Sequence, residues 1–151
     1  MSWALWLALG LGVAGLAYVR LAPSDPGVWH VDLAAVMPAQ ARVFCIRPGS
    51  RYDSGADPTA LLTALDAIAK ATPRTERLAG SPGEGRITWV TRSAVIGFPD
   101  YTTAQVMAGA GLCVAGRQRF GSQDWGVNAA RIGGWMQALL GLPERPEMTG
   151  F

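Results

Sequence analysis

The sequence predicts an α+β domain: an antiparallel sheet of about five strands with two helices packed on one face, behind a single N-terminal transmembrane helix. Residues 1–19 form an uncharged apolar run. Short alternating segments joined by tight turns lie between residues 75 and 120, which favours antiparallel pairing. Helical periodicity precedes and follows these segments. The order strand, helix, several strands, helix therefore indicates one sheet with both helices on the same face.

The N-terminal run is predicted to be an uncleaved membrane anchor over residues 1–20. It has no charged side chain before Arg20, and a helix of this length spans about 28 Å, close to the hydrocarbon thickness of a bilayer. Trp3, Trp6 and Tyr18 lie near its ends, where amphipathic rings favour the interface. A signal peptide or a buried core helix is the alternative, but a signal peptide requires a basic start that this chain lacks.

Residues 21–40 are predicted to be an extended, proline-rich tether with one or two turns, not part of the core. They contain the only histidine, His30. No serine or cysteine nucleophile motif accompanies it, so we expect contact with the membrane interface and not catalysis. The domain is expected to occupy residues 41–142, followed by a loose tail over residues 143–151.

The first elements of the domain are a strand and a helix. The strand is predicted in "ARVFCIRP", residues 41–48, and is bounded by Pro48-Gly49. Asp57 followed by Pro58 is typical of a helix N-terminus, and Pro73 stops the helix. Leu61, Leu65 and Ile68 recur at helical spacing between them. We therefore expect an amphipathic helix over residues 58–71.

Five further segments have strand character, separated by the turns "SPGEG" and "GAG". They are residues 75–79, 86–93 ("RITWVTRS"), 95–100 ("VIGFPD"), 101–108 ("YTTAQVMA") and 112–120 ("LCVAGRQRF"). The alternation in "RITWVTRS" predicts a half-buried strand, and Pro99 is expected to break "VIGFPD".

A final helix is predicted after Gly121. Trp125, Ala129, Ile132 and Met136 form one apolar stripe, and Gly141 with Pro143 ends the helix. Asp124 stands at the expected start, where its side chain would cap the helix and its charge would suit the positive end of the dipole.

The two cysteines, Cys45 and Cys113, lie far apart in sequence, each within an apolar strand-like segment. We expect them to be free and buried. A disulfide is the alternative in an oxidising compartment, provided the fold brings their Cα atoms within about 7 Å.

The candidate site is a polar set around the last strand and the last helix. Its members are Arg92, Asp100, Arg119, Asp124, Asn128 and Arg131. One interpretation is an anion pocket formed by Arg92, Arg119 and Arg131. The other, which we prefer, is a structural joint in which the two acids form ion pairs with these arginines and fix the helix to the sheet.

Several functional classes have no support in the sequence. The formal net charge is +2 and there is no run of lysine or arginine, so no nucleic-acid partner is expected. The acids are scattered, which excludes the usual metal-ligand spacings, and the glycine-rich turn lacks the Lys-Ser/Thr of a phosphate loop. We therefore expect no cofactor, no metal and no enzyme activity.

Three segments together, "PRTERL", "RITWVTRSAVIGFPDY" and "RQRFGSQDWGVNAARIGGW", resemble a bacterial and plastid family, domain of unknown function 1499. The matching positions are Pro73, Arg74, Thr75, Arg92, Ser93, Gly97, Phe98, Asp100, Gly121, Asp124, Gly126, Val127, Asn128, Arg131 and Ile132. The chain departs from the family pattern in having Cys45 alone before the domain, Pro99 before Asp100, and Ala129 after Asn128. The resemblance implies an α+β domain that is often exported or membrane-tethered, and the family supplies no established activity from which a site could be assigned.

These observations predict a membrane-anchored, non-catalytic interaction module, an accessory or assembly factor for an inner-membrane protein complex. The anchor would sit in the lipid bilayer as a single pass, with the domain on the periplasmic side. The alternative is a binding domain for a small apolar or anionic ligand such as a lipid, with Arg92 or Arg119 holding an anionic head group.

Overall fold

A computed structural model describes residues 3–40, 43–120 and 126–142. Five strands form one antiparallel sheet in the order β1-β5-β4-β3-β2. The strands are β1 (Val43–Ile46), β2 (Thr75–Ser81), β3 (Arg86–Arg92), β4 (Pro99–Met107) and β5 (Gly111–Gln118). The helices are α1 (Trp3–Leu21), α2 (Pro26–Trp29), α3 (Leu33–Gln40), α4 (Pro58–Ala71) and α5 (Val127–Leu140), with a 3-10 turn at Pro82–Glu84. The predicted fold class is confirmed.

The first face of the sheet carries the main core, against α4 and α5. Trp89 on β3 meets Trp135 on α5 edge to face, with ring centroids 5.6 Å apart. Leu62 and Leu65 of α4 are fully buried beside them. The helix start is as predicted, since the Asp57 carboxylate accepts the N–H of Ala60 and Pro58 opens the helix.

The second face of the sheet is covered by α2 and α3, which corrects the predicted extended tether. The Trp29 ring stacks on Tyr101 of β4 at 3.9 Å, and Leu33 is completely buried. The Leu33 N–H donates to Gln105 Oε1. The segment is too short and too rich in proline for its helices to give a long periodic pattern, so the sequence indicated only turns.

Because α2 and α3 cover the second face, β3 is buried on both of its faces. Thr88, on the second face, is fully buried, and so is Trp89 on the first. The strand was expected to be half-buried, but both of its faces are enclosed. The threonine is accommodated because its hydroxyl bonds to that of Thr103 on β4 at 2.9 Å.

The "VIGFPD" segment is mostly a loop. Pro99 is the first residue of β4, a position where a strand tolerates the missing N–H. The preceding loop is closed by Ser93, whose hydroxyl oxygen accepts the N–H groups of Gly97 and Phe98. The proline therefore opens a strand where we expected it to break one.

Cys45 and Cys113 form a disulfide, so the prediction of free cysteines was wrong. The two residues stand directly opposite each other where β1 pairs with β5, with Cα atoms 4.1 Å apart. They lie on the second face, next to the buried Leu33. Their proximity follows from the pairing of the first and last strands, which their separation of 68 residues does not reveal.

The apolar helix α1 spans 19 residues, none of them buried, and it is long and apolar enough to cross a membrane. Near its C-terminus, Arg20 donates to the carbonyl oxygens of Val95 and Ile96 in the loop before β4. The Ser24 hydroxyl bonds to Tyr101 Oη at 2.8 Å. The helix thus leads directly into contacts with the sheet.

Candidate functional site

Strand alternation divides the predicted polar set between the two faces of the sheet. Asp100 lies on the first face, where it meets Arg131 of α5. Arg92 alternates with Thr91, the β3 residue that pairs with Asp100, and therefore lies on the second face. Arg119 follows the end of β5 and contacts Pro23. The interpretation of Arg92, Arg119 and Arg131 as one anion pocket was therefore wrong.

On the first face the polar residues join α5 to the sheet. Arg131 Nη1 lies 3.9 Å from Asp100 Oδ2, and the Arg131 guanidinium also donates to Asn128 Oδ1. Asn128 is buried above Gly116 of β5. The close approach of helix and strand depends on this glycine, since a Cβ there would lie 3.0 Å from the Asn128 Cβ. Asp100 and Arg131 thus form one of the ion pairs that the structural-joint interpretation predicts, whereas Arg92 and Arg119 bond to backbone carbonyl oxygens.

The start of α5 differs from the expectation. The residue at the N-cap position is Gly126, with a left-handed φ of 78° and no side-chain cap. Asp124, the predicted cap, and Trp125, the predicted first residue of the apolar stripe, lie outside the described residues. The helix itself begins at Val127.

On the second face, arginines from β5 and just after it hold the segment that follows α1. Arg119 donates to the carbonyl oxygen of Pro23 at 2.7 Å. The Arg117 guanidinium donates to the carbonyl oxygen of Trp29 and lies 5.2 Å from the centroid of its ring. Burial lowers the pKa of Arg117 from its ordinary value, and it remains a cation at physiological pH.

His30 is part of a hydrogen-bonded chain on the second face, not a membrane contact as expected. Arg86 Nε donates to His30 Nε2 at 3.2 Å, and His30 Nδ1 lies 2.9 Å from the Thr88 hydroxyl. A guanidinium only donates, so Nε2 must be the acceptor and Nδ1 carries the proton. Burial first, and then the charge of Arg86, lowers the pKa of His30, while Glu84 acts in the opposite direction. The neutral imidazole of His30 is therefore the form that satisfies both hydrogen bonds.

A cavity of about 370 Å³ opens on the second face, at the β2–β3 side of the sheet and beside the end of α1. Its lining residues are Arg20, Arg74, Glu76, Val90, Arg92, Ser93, Ala94 and Gly97. Arg74 has a left-handed φ of 59°, and its Nε donates to the carbonyl oxygen of Arg92 at 3.2 Å. Arg92 Nη1 in turn donates to the carbonyl oxygen of Gly97. Backbone carbonyls thus hold the arginines around the opening.

The cavity carries an excess of positive charge. Within the described ranges, no carboxylate oxygen lies within 4.0 Å of a nitrogen of Arg20, Arg74 or Arg92. Glu76 is the single acidic residue in the lining. The sequence singled out Arg92 but did not indicate that Arg20 and Arg74 line the same cavity. Arg20 ends an apolar run, and Arg74 adopts a left-handed backbone conformation that the sequence does not reveal. Three guanidinium groups at one opening can bind an anion.

In residues 3–40, 43–120 and 126–142, no group of three or more His, Cys, Asp or Glu side chains is arranged to hold a metal ion. The polar side chains that line the cavity beside α1 are three arginines, Glu76 and Ser93. Arginines of this kind bind anions and also fix neighbouring elements in place.

The family model described as "Protein of unknown function (DUF1499)" matches residues 33–139. The chain belongs to the DUF1499 family. The match begins at the buried Leu33 and ends at Leu139, within the last turn of α5, so the DUF1499 region starts before the expected domain boundary at residue 41. It includes Arg74 and Arg92 of the cavity and leaves out α1 with Arg20. No curated protein and no solved structure is significantly similar to the chain.

Proposed function

We propose that this DUF1499 protein is a membrane-anchored, non-catalytic interaction module that serves as an accessory or assembly factor for an inner-membrane protein complex. The observation that carries the proposal is the junction between α1 and the sheet. Arg20, Ser24 and Arg119 join the end of the helix to the domain through three separate contacts. A domain joined in this way presents a constant surface at a fixed distance from the bilayer.

The chemistry of the polar groups supports a binding role over catalysis. Asp100, Asn128 and Arg131 interact with one another and fix α5. His30 accepts from Arg86, which occupies the nitrogen that a general base would use. Groups that are already engaged in holding the fold are poorly placed to take part in proton transfer or nucleophilic attack.

The Cys45–Cys113 disulfide supports a periplasmic location for the domain. Disulfides persist in oxidising compartments and are rare where glutathione and thioredoxin keep thiols reduced. Together with an apolar helix long enough to span a bilayer, it favours a single-pass protein of the inner membrane with its domain on the exported side.

Purification of the tagged full chain from native membranes in mild detergent tests the proposal. We expect a stable complex in which one membrane protein is present in stoichiometric amount. Replacing Ser24 and Arg119 with alanine should release the junction and lose that partner. Arg47→Ala, at an exposed arginine that follows the edge strand β1 and takes no part in the junction, is the control. A clean monomer from wild-type membranes would exclude the accessory role.

A ligand-binding role is the second candidate, and the cavity beside α1 favours it. An apolar ligand between the sheet and its helices is not favoured, because Leu62, Leu65, Trp89 and Trp135 fill that space. The ligand-binding alternative therefore concerns the second face. Native mass spectrometry of the purified chain would detect a bound small molecule there, and repeated empty spectra would count against it.

A further inference from the structure

We propose that the cavity beside α1 binds the phosphate group of an anionic phospholipid from the bilayer that α1 spans. Three arginines from separate parts of the chain meet there: Arg20 from α1, Arg74 from the turn before β2, and Arg92 from the end of β3. The inference depends on membrane insertion of α1 and does not depend on a protein partner.

The arginines keep hydrogen-bond donors available for a ligand. A guanidinium has five N–H donors. In the described part of the chain, Arg74 uses only its Nε and Arg92 only its Nη1, both toward backbone carbonyls. Arg20 uses its Nε and Nη2 in the same way. The remaining N–H groups suit phosphate oxygens, which accept two parallel bonds from one guanidinium.

The charge balance of the cavity favours an anion over a neutral ligand. Three guanidinium groups face the single carboxylate of Glu76, and the opening is accessible to solvent. Binding at such a site is weakened by salt, because exposed charges are screened. A volume of about 370 Å³ lies within the usual range for small-ligand sites.

The position of the cavity identifies its ligand as a membrane lipid. Arg20 is the penultimate residue of α1, so it stands where a membrane-spanning helix reaches the head groups. Val95 and Ile96, whose carbonyls accept from Arg20, leave 80% and 40% of their own surface exposed. An apolar loop tip beside a cationic cavity suits the boundary between acyl chains and phosphates, whereas a free anion would gain nothing from it.

Gly97 makes the arrangement sterically possible. It is buried, has a left-handed φ of 84°, and a Cβ there would lie 3.0 Å from Arg20 Cγ. The side chain of Arg20 crosses the loop at this point to reach the carbonyls. The loop, the end of α1 and the strand arginines are therefore fitted to one another around the opening.

The test uses the purified full chain, mixed with equal amounts of phosphatidylglycerol and of diacylglycerol with the same acyl chains, and measured by native mass spectrometry. We expect one phosphatidylglycerol to be retained per chain, with diacylglycerol about tenfold less. R74Q/R92Q should reduce retention of phosphatidylglycerol by about tenfold. R47Q/R51Q removes the same charge from the turn after β1 and should leave retention unchanged.

Several results would overturn the proposal. Equal retention of the two lipids by the wild type would mean that the phosphate is not recognised, and this comparison decides the matter even if R74Q/R92Q fails to melt cooperatively. Equal loss in both double variants would indicate general charge attraction. A rise in melting temperature with inorganic phosphate alone, without retained phospholipid, would assign the cavity to a soluble anion.

Discussion

Asp66 shows how a charged residue can belong to the core. Its carboxylate accepts from Trp89 Nε1 at 3.0 Å and from Arg77 Nε at 3.1 Å, and the residue is only 6% exposed. In sequence it resembles a solvated helix position, because Lys70 follows four residues later and forms an ion pair with it at 3.8 Å. The sequence cannot show that the strand partners lie on its inner side.

Replacing Asp66 with alanine should lower the free energy of unfolding by about 2–4 kcal/mol, since the buried indole N–H and the Arg77 guanidinium lose their acceptor. Lys70→Ala is the control at the same carboxylate. Its ammonium is exposed, so we expect a loss of about 0.5 kcal/mol or less. Denaturant unfolding of the full chain in detergent measures both. Similar losses for the two variants would contradict the buried role of Asp66.

His30 should make stability depend on pH. Its folded pKa is lowered by burial and by Arg86, while an unfolded histidine titrates near 6.5. Between these two values the unfolded chain binds more protons, so the free energy of unfolding decreases as the pH falls below 6.5 toward the folded pKa.

The stability of wild type relative to His30→Gln isolates this effect. The advantage of the wild type should be constant well above pH 6.5 and should shrink as the pH falls below that value. Glu84, the nearby acid, raises the pKa of His30, so it reduces the size of the effect without reversing its sign. A pH-independent difference, or one that grows in acid, would show that the neutral imidazole is not the favoured form.

At the scale of elements, periodicity was a good guide to the long helices and a poor one elsewhere. It located α4 correctly, because 14 residues display a full apolar face. It missed α2 and α3, which have four and eight residues and are stabilised by contacts with the sheet. The sequence also carries no pattern that shows which distant strands pair with each other. For this reason neither the disulfide between β1 and β5 nor the division of the arginines between the two faces of the sheet could be predicted.

Gly116 should be intolerant of a side chain, because α5 crosses β5 at this point. A Cβ would lie 3.0 Å from Asn128 Cβ and 3.1 Å from Ile132 Cδ1. Gly116→Ala should cost about 1–3 kcal/mol by pushing the helix away. A Cβ added at Gly134, in α5, would have no atom within 4 Å. Gly134→Ala should therefore raise the free energy of unfolding by about 0.5–1 kcal/mol. Thermal melting of both variants checks the prediction, which fails if they shift in the same direction.

At the scale of the molecule, the two faces of the sheet carry two different sets of contacts. Its first face carries the tryptophan core and the α5 joint, which hold the domain together. Its second face meets α2, α3 and the end of α1, and it carries the disulfide and the cationic cavity. The contacts that fix α1 to the domain and those that form the cavity share Arg20, so the orientation of α1 and the shape of the cavity are coupled.

The disulfide gives a direct test of which side of the membrane the domain occupies. Bacterial cells are acid-quenched and treated under denaturing conditions with a maleimide reagent that adds mass to each free thiol. On the exported side Cys45 and Cys113 should be oxidised, so the wild type should shift only after prior reduction. Cys45→Ser should shift by one adduct without reductant, which calibrates the gel. Two adducts on the unreduced wild type would place the domain in a reducing compartment and refute the periplasmic orientation.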